Sequence, residues 1–272
     1  MILPAIILLG AVGAISALIL YFVSLKFHVY EDPSIGLVEE VLPAANCGGC
    51  GFPGCRGFAE ACVKADTLKG LLCPVGGSEV MSKVAELLGR EAQSIVPTIA
   101  VVRCGGSCDN RPHINRYDGA LSCAVASALY GGETDCTFGC FGFGDCVKSC
   151  TFDAIQINSE TLLPEVAEEA CTSCGSCVKA CPVNIIELRK KGPKSRRIFV
   201  SCVNKDEAYM AEKACHVACT GCEKCREVCA FDAITIENNL AYIDYNKFTL
   251  CRKCVKECPS KAIMEVNFKK IC

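Results

Sequence analysis

At 272 residues with a formal net charge of −2, the chain is long enough for two or three domains and too weakly charged to mark a nucleic-acid partner. Its 26 cysteines admit three chemistries: a disulfide scaffold, zinc ribbons or iron–sulfur ligation. Disulfide-dense proteins are secreted and usually short, and this chain is neither short nor led by a clear cleavable signal.

In chain order, Met1 to Ser24 carries no charged side chain, and Ile2 to Val23 is almost wholly apolar. Roughly 20 such residues, rising about 1.5 Å each, span a hydrocarbon core, so residues 1–25 are expected to form a transmembrane helix. A secretory signal would need a basic start and a cleavage site, and no Lys or Arg precedes Lys26. Lys26 directly after the apolar run favours a cytoplasmic C-terminal side, where free thiolates also stay reduced. Gly10-x3-Ala14 and Gly13-x3-Ala17 are small-x3-small patterns that let a second membrane helix approach closely.

Residues 26–43 read as a linker with a short amphipathic helix ending at Pro43. A four-cysteine [4Fe–4S] domain is expected over 44–90, from Cys47, Cys50 and Cys55 with Cys73 before Pro74 as the fourth member. Its glycines let the backbone fold tightly enough for amides to face cluster sulfurs. Helices are expected over Gly57–Leu68 and Ser78–Leu88, with Cys62 inside the first as a packed thiol. A connecting segment, 91–132, holds a β-branched strand over Ile95–Val102, then Cys104, Cys108 and Cys123, and a helix over Leu121–Tyr130.

From Cys136 onward the chain repeats. Four times the last cysteine of a run is followed by a short apolar pair: Cys150-Thr-Phe-Asp-Ala-Ile, Cys181-Pro-Val-Asn-Ile-Ile, Cys229-Ala-Phe-Asp-Ala-Ile and Cys258-Pro-Ser-Lys-Ala-Ile. Each unit is half of a two-cluster bacterial ferredoxin, giving a ligand loop, a helical turn and a strand. Ferredoxin-like modules are therefore expected over 133–190 and 215–272, joined by a basic linker, 191–214. The predicted fold class is α+β: an N-terminal transmembrane helix, a small α-rich [4Fe–4S] domain, then tandem bacterial two-cluster ferredoxin-like modules.

Cys171, Cys174, Cys177 and Cys181 before Pro182 form the C-x2-C-x2-C-x3-C-P run of [4Fe–4S] ferredoxins. In that run the first three thiolates grip one cluster and the fourth reaches its neighbour, whereas zinc sites use separated C-x2-C pairs. The crossing rule assigns Cys136, Cys140, Cys146 and Cys181 to one cluster, and Cys150, Cys171, Cys174 and Cys177 to another. In the second module Cys219, Cys222 and Cys225 go with Cys258. The last cluster has Cys229, Cys251 and Cys254, but Phe248 stands where its fourth ligand belongs. Three outcomes stay open there: a [3Fe–4S] cluster, a substitute ligand such as Cys215, or a lost site. About five clusters result. An extra one from Cys104, Cys123, Cys202 and Cys215 competes with the reading of these as buried small apolar residues.

Arg189, Lys190, Lys191, Lys194, Arg196 and Arg197 form a basic stretch, read either as a solvated turn around Gly192-Pro193 or as a docking patch for an acidic redox partner. His28, His113 and His216 lack the pairing of a Rieske centre. No G-x-G-x-x-G follows a strand, no phosphate loop occurs, and no nucleophile–base pair stands out. The pattern points to electron transfer without bond chemistry on this chain.

Three further stretches carry a family resemblance: Leu42-Pro43-Ala44-Ala45-Asn46-Cys47-Gly48-Gly49-Cys50-Gly51-Phe52-Pro53-Gly54-Cys55 with Cys73-Pro74, the run Cys136 to Cys146, and Asn238 to Asp244. With the N-terminal helix they make the chain resemble the B subunit of the Rnf complex, the ion-translocating ferredoxin:NAD oxidoreductase of bacteria. That resemblance implies a cytoplasmic-membrane subunit that takes electrons from soluble ferredoxin and passes them to other Rnf subunits, driving Na+ or H+ translocation. Phe248 departs from the family pattern, which usually has Cys there. Competing readings are a redox-sensing or regulator-reducing iron–sulfur protein, and a ferredoxin-type subunit of a different membrane oxidoreductase.

Overall fold

In the computed structural model, which describes residues 2–26, 32–92, 96–129 and 132–268, the apolar N-terminus forms helix α1 (Ile2–Lys26). Its side chains from Gly10 to Ser24 stand exposed, with no polar face. Among the described residues no helix is long and apolar enough to cross a membrane. The transmembrane expectation for 1–25 falls in part on side chains, such as those of residues 2–6, that lie outside the described residues.

Helix α2 (Pro33–Val41) starts where proline pre-sets the backbone angle, and the Asp32 carboxylate accepts a hydrogen bond from Ser34 N at 2.9 Å. It packs on α3 (Gly54–Lys64) and α4 (Gly77–Leu87), as the apolar spacing of all three demands. Ile35, Val38, Phe58, Cys62, Met81 and Val84 form the resulting core. Each large side chain buried there contributes about 1.5–3 kcal/mol. Cys62 is the packed thiol expected: burial pushes it up to about 11.

Strand β1 (Thr98–Val102) begins just after Pro97, and helix α5 (Cys123–Leu129) follows a long loop. Next comes the repeat: α6 (Asp145–Lys148), β2 (Ile155–Ile157), β3 (Pro164–Val166), α7 (Ser176–Ala180) and β4 (Ile186–Lys190). Strand β5 (Arg197–Val200) and helix α8 (Ala208–Ala214) precede the second set. That set is α9 (Lys224–Glu227), β6 (Ile234–Glu237), β7 (Leu240–Ile243), α10 (Lys253–Glu257) and β8 (Ile263–Val266). Each cysteine run thus carries a one-turn helix at its third cysteine and is followed by a strand, as the repeat predicts.

The strands pair antiparallel in twos: β1 with β4, β2 with β3, β5 with β8 and β6 with β7. Register runs from Thr98↔Lys190 to Val102↔Ile186 in the first and from Arg197↔Val266 to Val200↔Ile263 in the third. The segments expected to connect modules, 91–132 and 191–214, therefore each supply the strand that closes the module after them. Without β1 and β5, the last strand of each module would expose an unpaired apolar edge. The modules are built alike, strand first.

The basic stretch is corrected as well. Arg189 is only 2% exposed and Arg197 only 7%. Arg189 pairs with Glu187 and lies 5.1 Å over the Tyr242 ring, while Arg197 pairs with Glu168 and donates to Ser195 O at 2.9 Å. These arginines tie strands together from inside, so the six charges do not make one docking patch; Lys190 and Lys194 are the exposed members.

Candidate metal centres

Four left-handed residues shape the ferredoxin loops. Gly144 (φ 77), Gly175 (φ 77), Glu223 (φ 63) and Arg252 (φ 65) each cap a one-turn helix. Each stands two residues before Cys146, Cys177, Cys225 or Cys254 and turns the chain so that the third cysteine of the run faces inward.

Cys47, Cys50, Cys55 and Cys73 line one apolar cavity with Phe58 and Pro74, as the sequence predicts. Asn46 Oδ1 accepts from Cys55 N at 2.8 Å, closing the loop, and Gly76 N donates to Cys73 Sγ at 3.3 Å. Cys150, Cys171, Cys174 and Cys177 line a second cavity, and Cys219, Cys222, Cys225 and Cys258 a third. The expected crossing of the fourth cysteine between runs is present in both. Ala241 N donates to Cys219 Sγ at 3.4 Å, an amide–sulfur bond of the kind that tunes cluster ligands.

The remaining first-module cavity differs from expectation. Cys140, Cys146 and Cys181 line it together with Cys123, not Cys136. Asp145 holds Cys123 there, because its carboxylate accepts from Ser122 Oγ at 2.8 Å and from Ala124 N at 3.0 Å, docking the start of α5 onto α6. Cys136 faces away, with Asn204 Nδ2 donating to its Sγ at 3.6 Å. The extra set of Cys104, Cys123, Cys202 and Cys215 is thereby split. A sequence signal existed: Cys140-x5-Cys146 lacks the middle cysteine of Cys219-x2-Cys222-x2-Cys225, so its missing partner had to come from elsewhere.

Cys254 lies in the electrostatic field of Cys251 and Cys229, while Phe248 packs into the adjoining core.

Burial, followed by the neighbouring thiols, pushes Cys177 and Cys225 up to about 12 and Cys254 up to about 11. Cys140 rises to about 12 and Cys146 to about 11, again through burial first. Such crowded thiols become thiolates only with a cationic group between them, which bound iron supplies. Tetrahedral bonds of ~2.3 Å to one zinc put neighbouring sulfurs only about 3.8 Å apart. Among the described residues no group of three or more His, Cys, Asp or Glu is placed for a single metal ion. Apolar cages with amides donating to sulfur fit cuboidal clusters instead.

The sets also abut. Cys146 and Cys177 pack in one buried cluster, and Cys225 and Cys254 in another. Gly49, from the first domain, lies against the backbone of Cys174.

Comparison with known proteins agrees with this arrangement. A family model described as "Putative Fe-S cluster" matches residues 42–70. A "4Fe-4S double cluster binding domain" matches 170–237, and a "4Fe-4S dicluster domain" matches 135–185 and 218–262. The chain is 43% identical over 94% of its length, and 75% of the relative's, to the B subunit of the Na(+)-translocating ferredoxin:NAD(+) oxidoreductase complex of Acetobacterium woodii. It is 39% identical over 96% of its length, and 91% of the relative's, to the B subunit of the proton-translocating ferredoxin:NAD(+) oxidoreductase complex of Clostridium ljungdahlii. For the B subunit of the ion-translocating oxidoreductase complex of Methanosarcina acetivorans the identity is 39%, over 95% of this chain and 96% of the relative. The chain therefore belongs to the family of iron–sulfur B subunits of the Rnf ion-translocating ferredoxin:NAD(+) oxidoreductase complexes.

Proposed function

We propose that this chain is the membrane-anchored wire through which soluble reduced ferredoxin feeds an Rnf complex, coupling NAD reduction to Na+ or H+ translocation. Helix α1 inserts in the cytoplasmic membrane, its small-x3-small face against other Rnf subunits, and holds the cysteine domains on the cytoplasmic side. Cys47, Cys50, Cys55 and Cys73 grip one [4Fe–4S] cluster. Cys150, Cys171, Cys174 and Cys177 grip a second; Cys123, Cys140, Cys146 and Cys181 a third; Cys219, Cys222, Cys225 and Cys258 a fourth. Cys229, Cys251 and Cys254 hold an altered cluster with three thiolates. Each bound cluster supplies a site that accepts and releases one electron at a time.

The protein's part is to fix, insulate and tune. The apolar cavity walls exclude water, and the amides of Gly76 and Ala241 donate to ligand sulfurs, which favours the reduced, more negative cluster. The observation that carries this reading is that cysteines from separate runs converge in four cages, two of which meet in the buried cluster shared by Cys146 and Cys177. Inverted membrane vesicles containing the complex provide the test. Reduced ferredoxin should drive NAD reduction and ion uptake together, and both should stop when this subunit is deleted. Ferredoxin oxidation that continues at full rate without the subunit would reject the role.

A further inference from the structure

The two ferredoxin modules need a junction, and the residues around Cys136 provide one. Both modules start with a strand followed by a cysteine two residues on: β1 ends at Val102 before Cys104, and β5 ends at Val200 before Cys202. Both then reach their first cage cysteine through the same spacing, Cys136-x3-Cys140 and Cys215-x3-Cys219. Cys104 and Cys136 of the first repeat thus correspond to Cys202 and Cys215 of the second.

Backbone and side-chain bonds draw the four together. Gly105 N donates to Ser201 O at 2.9 Å and Arg103 Nη2 to Cys202 O at 3.3 Å, joining the Cys104 and Cys202 loops. His216 N donates to Asn110 O at 2.9 Å, bringing Cys215 to the same loop. Asn204 Nδ2 reaches Cys136 Sγ at 3.6 Å. A Cβ placed on Gly106 would lie 3.5 Å from both Cys215 Sγ and Arg111 Nε, so these two atoms border the same small space. Cys202 packs against the small buried cluster that contains Cys215. Arg111 is only 9% exposed, donates to Cys140 O at 2.5 Å, and leaves its buried Nε without a hydrogen-bond partner. A buried, unsatisfied N–H beside clustered thiols is costly unless an acceptor occupies the space, and the sulfide of an iron–sulfur cluster is such an acceptor.

We propose that Cys104, Cys136, Cys202 and Cys215, two from each repeat, hold a further [4Fe–4S] cluster that joins the electron paths of the two ferredoxin modules. It deepens the electron-wire reading above and rests on it. On one side Cys104 packs against the buried cluster that holds Cys140; on the other, Cys202 packs against the one that holds Cys219. One electron enters from the neighbouring cluster on one side and one leaves to the neighbour on the other, with no bond made or broken and no proton required.

The experiment counts iron, acid-labile sulfide and zinc in full-length, anaerobically purified protein and its alanine variants. Cys136→Ala and Cys140→Ala should each remove about four irons per chain, and the double variant about eight, because the residues serve different clusters. Cys104→Ala combined with Cys136→Ala should remove only about four, as should Cys123→Ala combined with Cys140→Ala. Loss of only about four irons in the Cys136→Ala/Cys140→Ala double would place both in one cluster and overturn the proposal. Unchanged iron in Cys136→Ala, or zinc at this position, would also overturn it. Should a variant fail to fold, the unsubstituted protein still decides: iron for one cluster beyond the four cages and the Cys229–Cys251–Cys254 set supports the proposal, and iron for only those sites or fewer refutes it. A wild-type protein with almost no iron would instead defeat the electron-wire reading itself.

Discussion

Gly49 lies so close to Cys174 that an added Cβ would stand 2.7 Å from the Cys174 carbonyl oxygen and 3.0 Å from its Cα. The contact joins the first cysteine domain to the loop that holds Cys171, Cys174 and Cys177. Its partner atoms are backbone, which cannot swing aside as the end of a long side chain would. Gly49→Ala should force the two loops apart at a cost of about 1–3 kcal/mol. Iron content should stay near wild type, while reduction of the first-domain cluster through the ferredoxin modules slows. Freeze-quench EPR reads this; an unchanged rate and melting temperature would show that the two loops do not meet this way in solution.

Cys177 lines its own cage and packs in the buried cluster that holds Cys146 of the next, so its cluster occupies a junction in the proposed path. Cys177→Ala should abolish ferredoxin-dependent NAD reduction in membranes while the complex still assembles. Retained activity would put that cluster off the path.

Arg189 tests the corrected reading of the basic stretch. Removing a buried guanidinium that pairs with Glu187 and covers Tyr242 should destabilise the second module by about 3 kcal/mol. Arg189→Ala should therefore lower the melting temperature and leave the ionic-strength dependence of electron uptake from ferredoxin unchanged. A reduced salt dependence at wild-type stability would restore a docking role.

Glu168 connects stability to pH. A hydrogen bond from Arg197, aided by Asn267, holds its carboxyl below the usual carboxylate range against the opposing effect of burial. A depressed carboxyl contributes stability above its unfolded pKa of about 4.3, and that stability is lost as pH falls through the lower folded value. Glu168→Gln should cost about 1–3 kcal/mol at pH 7, and the gap to wild type should close at pH values below both pKa values. Thermal melts across that range check the sign; a gap that is constant with pH would exclude linkage through this pair.

The periodic parts of this chain were legible because each rests on local chemistry. C-x2-C-x2-C-x3-C spacing sets a loop, a helical turn and a strand with little help from elsewhere, and all four repeat units have that form. The α2–α4 core was readable from its apolar spacing. What could not be read locally was pairing at long range. Strand β1 was readable from its β-branched residues but its partner β4 was not, β5 looks like linker until β8 demands a partner, and Arg189 looks solvated until β5 and β7 cover it. Cys123 and Cys136 exchanged expected places for the same reason: which thiol enters the Cys140–Cys146–Cys181 cage depends on how α5 docks onto Asp145, a contact over more than twenty residues.

The decisive measurement is the iron and acid-labile sulfide content of the anaerobically purified chain, followed by chelation while its circular dichroism is recorded. Between about four and six clusters per chain should be found, and stripping the iron should unfold both ferredoxin modules, since so small a core leans on its ligand bonds. A value near one cluster, or a colourless chain that stays folded after chelation, would contradict a protein built around a row of iron–sulfur cages.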